Sequence, residues 1–312
     1  MTDLLKKLTI AIPVYNDVKY IGRTIETCLA EAGKIVIYDN ASDDGTSEVC
    51  AAFAKEHPHV THLRHEQNVG FYENFRCALF DCETDYFCWL GSHDLLEKNY
   101  SLPLLKALEK DAETVLAVGT IQHIDEQGGK LSRTTRSYWV NRVKNKPPLV
   151  RMDAFAKKLR DCFMVYGIFR TKALQGAWQT TPMLGFDRVL LMQTAGAGKT
   201  VYVPESVFYA RNMAQERKGS KDQERRAASL NAADGGTVEQ SLMPRNLGMV
   251  EAALSLVKNE DDLKQALKII DKINRRSRHN MTRCGFQPQC QSGEVIRAAA
   301  DTFTAETAAK IR

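Results

Sequence analysis

The chain has 312 residues, of which 44% are hydrophobic and 26% are charged, and its formal net charge at pH 7 is +5. These values are ordinary for a globular protein with one large or two modest domains. No segment approaches the roughly eighteen continuous apolar residues that a membrane-spanning helix needs. The first ten residues lack the pattern of a secretory signal peptide, so we expect a cytoplasmic protein.

The eight cysteines predict neither a disulfide framework nor a zinc site. Most lie in apolar helix or strand patterns, where a reduced cysteine behaves as a small buried hydrophobe. No CxxC pair occurs in the sequence. Four histidines between residues 57 and 65 lie in a turn and a short strand that would not bring them onto one face, so we do not expect a metal site there.

Basic residues gather in three segments, 144–160, 217–226 and 275–283, which favours an anionic partner. The sequence has none of the common nucleic-acid-binding signatures, so we expect no nucleic-acid partner. A membrane surface and a diphosphate-bearing substrate both remain compatible with this charge.

The first predicted elements form a strand, helix and strand unit. Apolar strands Leu8–Val14 and Lys34–Tyr38 flank a helix that begins near Asp17, which is interpreted as the N-cap or a first-turn acid. Each strand is followed by polar residues, Tyr15-Asn16 after the first and Asp39-Asn40 after the second. Because open α/β sheets bind ligands at the carboxyl ends of their strands, this edge predicts a nucleotide site.

Four motifs follow one another along the chain: AIPVYN, YDNASDDGT, NVGFYENF and WLGSHD. Their order resembles that of the family 2 glycosyltransferases, over roughly the first two thirds of the sequence. The resemblance implies a GT-A type Rossmann-like mixed α/β sheet flanked by helices, with a C-terminal helical region in addition. It also implies transfer of a sugar from a nucleotide diphosphate sugar, with UDP-sugars favoured.

The resemblance assigns the donor nucleotide to the ends of the first strands. It implies that Asp39 contacts the base and ribose, and a carboxylate can accept hydrogen bonds from both. Asp43 and Asp44 suit a turn and a helix cap better. The further nucleotide-sugar contacts implied after the first and third strands are Pro13, Tyr15, Asn16, Asn68 and Gly70. For Gly70, a purely conformational role through a positive φ is an equal alternative.

Strand Tyr86–Leu90 ends in Ser92-His93-Asp94, at the place of the family's acidic DxD metal motif. The resemblance implies that Asp94 holds a divalent cation, Mn²⁺ or Mg²⁺, which takes oxygen ligands from protein and substrate phosphates. Ser92 replaces the first acid of the motif, which leaves the strictness of metal dependence open. Ser92 and His93 are both counted among the expected nucleotide-sugar contacts. For His93, the alternatives are a metal ligand, a phosphate donor or a side chain that points into the protein.

The middle of the chain predicts a helix from Pro103 to Asp111 and a strand from Thr114 to Ile121, followed by a hairpin turn. The polar, basic and aromatic segment 130–150 is predicted to lie over the acceptor side. Tyr138 and Trp139 within it favour local packing, with sugar stacking as the alternative. A strand over Phe163–Arg170 and a helix from Thr171 follow.

A helix that begins at Asp187 and runs to Ala195 carries the acid that the resemblance identifies as the general base of inverting members. A carboxylate there would deprotonate the acceptor hydroxyl, although an acid in a first turn also stabilises the helix dipole. Strands Val201–Val203 and Ser206–Arg211 come next. The resemblance implies that Arg211 neutralises charge on the diphosphate.

We therefore expect a catalytic domain over residues 1–213, a flexible loop or linker over 214–240 and a helical region over 241–312. The helical region could pack on the catalytic domain, form a homodimer or rest on the inner face of the cell membrane. The expected activity is inverting transfer to an acceptor hydroxyl in polysaccharide or glycoconjugate synthesis. A non-catalytic nucleotide-binding module is the alternative, and a nucleotidyltransferase is disfavoured because the first strand has no glycine-rich loop with a lysine after it.

Overall fold

A computed structural model describes residues 2–159, 161–178, 185–213 and 248–283, with side chains as far as residue 273. A short helix α1 (Asp3–Lys6) leads into β1 (Leu8–Val14), whose seven residues are all buried. Helix α2 (Val18–Cys28) and strand β2 (Lys34–Asp39) complete the predicted unit. The two strands are parallel and pair Val14 with Asp39, so their polar ends lie side by side.

The other strands belong to the same nine-stranded sheet. They are β3 (Val60–Arg64), β4 (Tyr86–Trp89), β5 (Leu95–Leu96), β6 (Thr114–Ile124), β7 (Lys130–Thr135), β8 (Ile168–Arg170) and β9 (Lys199–Arg211). The sheet order is β3-β2-β1-β4-β8-β6-β9-β5, with β7 paired to β6. Strands β1 to β4 are mutually parallel. Strand β8 is antiparallel to both of its neighbours, β4 and β6, so β6 runs in the same direction as β4. Strand β9 pairs parallel to β6 and so has this direction too. The carboxyl ends of these six strands therefore share one edge.

Helices connect the strands and cover the sheet. They are α3 (Thr46–Glu56), α4 (Phe71–Phe80), α5 (Ser101–Glu109), α6 (Tyr138–Val143), α7 (Pro148–Lys158), α8 (Thr171–Gly176), α9 (Phe186–Ala197) and α10 (Glu260–Arg283). Alternate residues of the central strands point to opposite faces. Ile10 and Ile12 of β1 pack in one core cluster, while Ala11 packs in the other with Trp89 and Phe169. The predicted mixed α/β sheet flanked by helices is confirmed.

Two local predictions need correction. The two predicted strands at 201–203 and 206–211 are one long β9, with a register shift against β6. Only Ile168–Arg170 of the predicted strand at 163–170 is extended, because Phe163–Tyr166 forms a 3-10 turn. The segment 130–150, for which the sequence analysis named no elements, contains β7, α6 and the start of α7.

The C-terminal part adds helical residues 248–254 and α10, separated by residues 255–259, which overlap the break predicted at 258–262. Val250, Leu254 and Ile270 join the core cluster that contains Met152 of α7 and Leu191 of α9. The loop predicted at 214–240 and the end of the predicted helical region lie outside the described residues. Among the helices described, none has both the length and the apolar character required to cross a bilayer.

Candidate functional site

The ends of β1 and β2 are joined by hydrogen bonds between polar side chains. The Asn16 amide group donates to Asp43 Oδ1 at 2.8 Å, and Asp43 N donates back to Asn16 Oδ1 at 3.0 Å. Asn16 N also donates to the Ser42 hydroxyl at 3.1 Å, and Asn16 has a positive φ of 52°. Tyr15 beside it is 49% exposed, whereas Pro13 is buried in β1. This edge thus presents an aromatic ring beside a rigid polar turn.

Asp39 lies at the bottom of this turn with no exposed surface. Its Oδ1 accepts from Ser42 N at 2.9 Å, and its Oδ2 accepts from the Ser47 hydroxyl and lies 3.3 Å from His62 Nε2. Burial alone would raise the pKa of Asp39, but the hydrogen bonds from His62, Ser42 and Ser47 hold it well below its usual value. In this conformation Asp39 organises the turn. For Asp39 to contact a nucleotide directly, it would have to lose one of these hydrogen bonds.

We expect Asp39→Asn to lower the free energy of unfolding at pH 7 by about 2 kcal/mol, because it removes a buried carboxylate with several charge-assisted hydrogen bonds. A carboxyl whose folded pKa is depressed stabilises the fold above its unfolded pKa, near 3.8, and loses that contribution as the pH falls further. Urea unfolding from pH 7 down to pH 3 should therefore show the difference from wild type shrinking below about pH 4. The exposed Asp43→Asn is the control, and an equal, pH-independent loss in both variants would contradict this account.

Asn68 and Gly70 form the loop between β3 and α4. Asn68 Oδ1 accepts from Asn40 Nδ2 and from Gly70 N, both at 2.9 Å, and Val69 N donates to Asn40 Oδ1 at 2.8 Å. Gly70 has a φ of +85° at the start of α4, a conformation that strongly favours glycine. These residues lie beside the β2 end, so the loop is held at the edge where the sequence placed it.

Ser92 and His93 follow β4 and are joined to a carboxylate that the sequence analysis treated as a helix cap. Asp17 occupies the N-cap position of α2 but makes no capping hydrogen bond with its side chain. Its Oδ2 instead accepts from the Ser92 hydroxyl and lies 3.2 Å from His93 Nδ1. Asp17 thus supplies, close to the 92–94 loop in space, the acid that is missing from the Ser92-His93-Asp94 motif. In the sequence, the only sign of this role is that Asp17 directly follows Asn16.

Asp94 is buried, and its Oδ1 accepts from the backbone N–H of Arg211 at 2.8 Å. Burial, with a smaller contribution from the carboxylate of Asp17, raises its pKa to about 6 against the opposing effects of His93 and Arg211. Gly91 makes room for this group, because a Cβ there would lie 2.6 Å from Asp94 Oδ2. A buried acid near a second acid is suited to bind a cation.

Arg211 ends β9, and its guanidinium group is engaged with backbone carbonyls. Nε donates to His93 O at 2.7 Å, and Nη1 donates to Asp125 O at 3.1 Å and Glu126 O at 2.7 Å. The group also lies over the Tyr20 ring, 5.0 Å from its centroid. Arg211 therefore ties the β6–β7 hairpin to the 92–94 loop, a clamping role that the sequence did not indicate.

Asp187 lies in the first turn of α9, after Gly185, whose φ is +78°. It is partly exposed, and its Oδ1 accepts from Arg188 N at 2.8 Å. Its neighbour is the Cys162 thiol, whose pKa is raised by burial and by the Asp187 carboxylate. The preceding residues 179–184 lie outside the described part of the chain.

Contacts connect the start of α9 to this edge of the sheet on two sides. The Phe186 ring packs against Phe71 and Tyr72 at the start of α4, with ring centroids 6.0 and 5.4 Å apart. On the other side, Asp187 neighbours the Cys162 thiol. Cys162 directly precedes the 3-10 turn, which brings Tyr166 beside Gly91, where a Cβ would lie 3.7 Å from the Tyr166 hydroxyl. The predicted site residues thus gather along one edge of the sheet, with Asp187 at its far side.

A mixed sheet of this order, flanked by helices, defines a GT-A type fold. Residues 9–177 match the model of Glycosyl transferase family 2. Since the match covers more than half of the sequence, the chain belongs to glycosyl transferase family 2, as its motifs indicated.

Curated relatives share part of this region. Glycosyltransferase GlyG of Streptococcus pneumoniae serotype 4 is 26% identical over 126 residues, which cover 39% of this chain and 41% of that protein. Chondroitin synthase of Escherichia coli is 29% identical over 128 residues, which cover 40% of this chain and 18% of that protein. The aligned part thus spans less than half the length of either relative.

Solved structures support the fold over most of the chain. S. aureus TarS 1-349 in complex with UDP-GlcNAc has a TM-score of 0.53 and 13% identity, covering 96% of this chain and 92% of that one. GalNAc-T7 with UDP, GalNAc and Mn²⁺ has a TM-score of 0.50 and 15% identity, covering 77% of this chain and 53% of that one. At these identities the likeness establishes the fold alone.

Proposed function

We propose that this protein is an inverting glycosyltransferase that moves a sugar from a nucleotide diphosphate sugar to an acceptor hydroxyl. The observation that carries the proposal is the convergence of the β1 and β2 ends, the Ser92-His93-Asp94 loop and the start of α9 on one sheet edge. The catalytic domain would span residues 1–213, with residues 241–312 as a helical region. The product would be a polysaccharide or another glycoconjugate.

The nucleoside would bind over the ends of β1, β2 and β3. Tyr15 offers an exposed ring for the base, while Asn16 and Asp39 hold the turn that shapes the pocket. Asn68 and Gly70 would close its other side. A UDP-sugar is the favoured donor, because the similarly folded TarS was solved with UDP-GlcNAc.

The diphosphate would lie over the 92–94 loop, where Asp94 would hold Mn²⁺ or Mg²⁺. The donor set fits a hard divalent ion, because the carboxylates of Asp94 and Asp17 lie near a serine hydroxyl and an imidazole. No cluster of three or more His, Cys, Asp or Glu in the described residues forms a complete metal site, so phosphate oxygens would complete the shell. When bound, such an ion neutralises charge on the departing diphosphate.

Asp187 would accept the proton of the acceptor hydroxyl. That oxygen forms a bond to the anomeric carbon from the face opposite the diphosphate, and the bond from this carbon to the diphosphate oxygen breaks. The sugar is transferred with inversion, and the nucleoside diphosphate leaves with the bonding electron pair. Arg211 would hold the 92–94 loop in place through its bonds to backbone carbonyls.

Donor binding can be tested by thermal shift with nucleoside diphosphates and their sugars, with and without Mn²⁺. A ligand present at about a thousand times its dissociation constant should stabilise the fold by about 4 kcal/mol. We expect a Mn²⁺-dependent rise in melting temperature with one nucleotide class, lost in Asp94→Ala and kept in the exposed control Asp85→Ala. The absence of a shift with every nucleotide would overturn the proposal, whereas binding without release of nucleoside diphosphate would support the non-catalytic module.

A further inference from the structure

Helices α6 and α7 form a hairpin, residues 136–158, with an unusual charge. These residues contain seven lysines and arginines and a single acid, Asp153, although the whole chain has a net charge of only +5. Asp153 is buried and already accepts from Lys157 and Lys272, each at 2.5 Å. The hairpin therefore presents a concentrated positive charge, and we call residues 136–158 the basic hairpin.

Most cations of the basic hairpin face solvent. Arg136, Arg142 and Lys146 are exposed and form no ion pair with any residue that the structure describes. Lys158, also exposed, lies over the Trp139 ring, 5.9 Å from its centroid. The nearby acids Asp111 and Glu113 are bridged by Lys199 at 2.9 and 2.6 Å.

The basic hairpin leads towards the proposed base. Arg151, near the start of α7, donates from Nε to Ala195 O at 2.7 Å at the end of α9. Arg188, near the start of α9, donates to Leu159 O at 3.0 Å, just after α7. Helices α7 and α9 are therefore antiparallel, and the Lys158 end of α7 lies beside the turn that carries Asp187.

An aromatic side chain accompanies the cations. Tyr138 is 53% exposed, and its ring packs edge-on against Tyr202 with the centroids 4.9 Å apart. Arg142 follows one helical turn later, on the same side of α6. Exposed rings beside cations suit a sugar chain that carries negative groups, since the rings contact sugar faces and the cations attract carboxylate or phosphate.

We propose that the basic hairpin is the docking surface for an anionic glycan acceptor, one that carries carboxylate or phosphate groups along its chain. The glycan lies along α6 and α7, and its end reaches Asp187. This inference rests on the proposed function for the meaning of acceptor, but binding to the surface needs no turnover. A neutral glycan would leave the exposed cations unused.

The test compares wild type with a fourfold variant of the basic hairpin, Arg136→Gln/Arg142→Gln/Lys146→Gln/Lys158→Gln, which we call the hairpin variant. The matched control is Lys55→Gln/Lys98→Gln/Lys106→Gln/Lys110→Gln, which removes four exposed cations elsewhere on the described surface. Fluorescence anisotropy would measure binding of labelled oligogalacturonate, dextran sulfate and neutral dextran, with phosphatidylglycerol vesicles measured by co-sedimentation. Folding would be checked by melting temperature, and the shift in melting temperature with nucleoside diphosphates, their sugars and Mn²⁺ would be measured in parallel.

We expect both anionic glycans to bind wild type and the control variant, and to bind the hairpin variant at least tenfold more weakly. Neutral dextran should bind none of the three proteins. Binding should weaken as salt is raised from about 0.1 M to 1 M, because the screening length falls from about 10 to 3 Å. Equal binding by both variants, or binding to vesicles alone, would overturn the proposal. Anionic binding without a shift in melting temperature by any nucleotide would refute the proposed enzyme activity and leave the surface assignment standing, so the two failures are distinguishable.

Discussion

Asp187→Asn should lower kcat for sugar transfer by about two to four orders of magnitude, the usual contribution of a positioned general base. A sugar hydroxyl is a poor nucleophile at neutral pH, and the amide cannot accept its proton. Donor affinity should change little, because Asp187 lies at the far side of the edge from Asn16 and Asp39. Transfer to acceptor and donor melting shifts, measured on the same preparation, check both expectations.

The competing explanation is that Asp187 only stabilises the start of α9. An acid in a first turn typically contributes about 0.3–1 kcal/mol through the helix dipole, and its loss would lower the melting temperature without a selective loss of kcat. Glu48→Gln is the matched control, since Glu48 is an exposed acid in the first turn of α3. If Asp187→Asn lost only stability and kept kcat within about threefold of wild type, the base assignment would be wrong.

The sheet was predictable because its strands are marked locally. Strands β1 and β2 are short apolar runs, and each ends in residues that cannot continue a buried strand, such as Asn16 and Asn40. The start of α9 is marked in the same way by Gly185 and Asp187. Parallel pairing then places these ends together, so most of the site edge follows from the order of the motifs along the chain.

The partners of the site residues were not predictable, because they come from distant parts of the sequence. Asp17 has the position of a helix cap, and only the fold places it against Ser92, 75 residues away. Arg211 looks like a phosphate ligand in sequence, yet its guanidinium bonds to carbonyls of the 92–94 loop and the hairpin after β6. Hydrogen-bond partners depend on which elements pack together, and residue patterns carry little of that information.

Asp94→Asn should stabilise the fold at neutral pH while it lowers transfer by at least about a hundredfold, the typical cost of losing one electrostatic contact to the transition state. The folded pKa of Asp94 is raised from 3.8 to about 6, so the fold favours the neutral form. Below about pH 4 the Asp94 carboxyl is protonated in both the folded and the unfolded protein, so its burial does not lower the stability of wild type through ionisation. As the pH rises from about 4 to 6, the unfolded chain ionises while the buried group stays protonated, so the fold loses stability, and above pH 6 the loss is constant and of the order of 3 kcal/mol.

Asparagine keeps an oxygen to accept from Arg211 N and carries no charge, so the variant avoids this cost. Its advantage in melting temperature should be absent near pH 4, grow to roughly 5 °C by pH 7 and stay constant above. Adding Mn²⁺ with a nucleoside diphosphate should stabilise wild type and not the variant, which reverses their order. Asp85→Asn, an exposed acid 3.5 Å from Lys7, should show neither effect. If the variant were less stable than wild type at pH 7, the Asp94 carboxylate would be stabilising the fold, and this account would be wrong. The expected reversal on addition of Mn²⁺ and a nucleoside diphosphate would mean that the carboxylate destabilises the unliganded fold and is kept because it binds the ion.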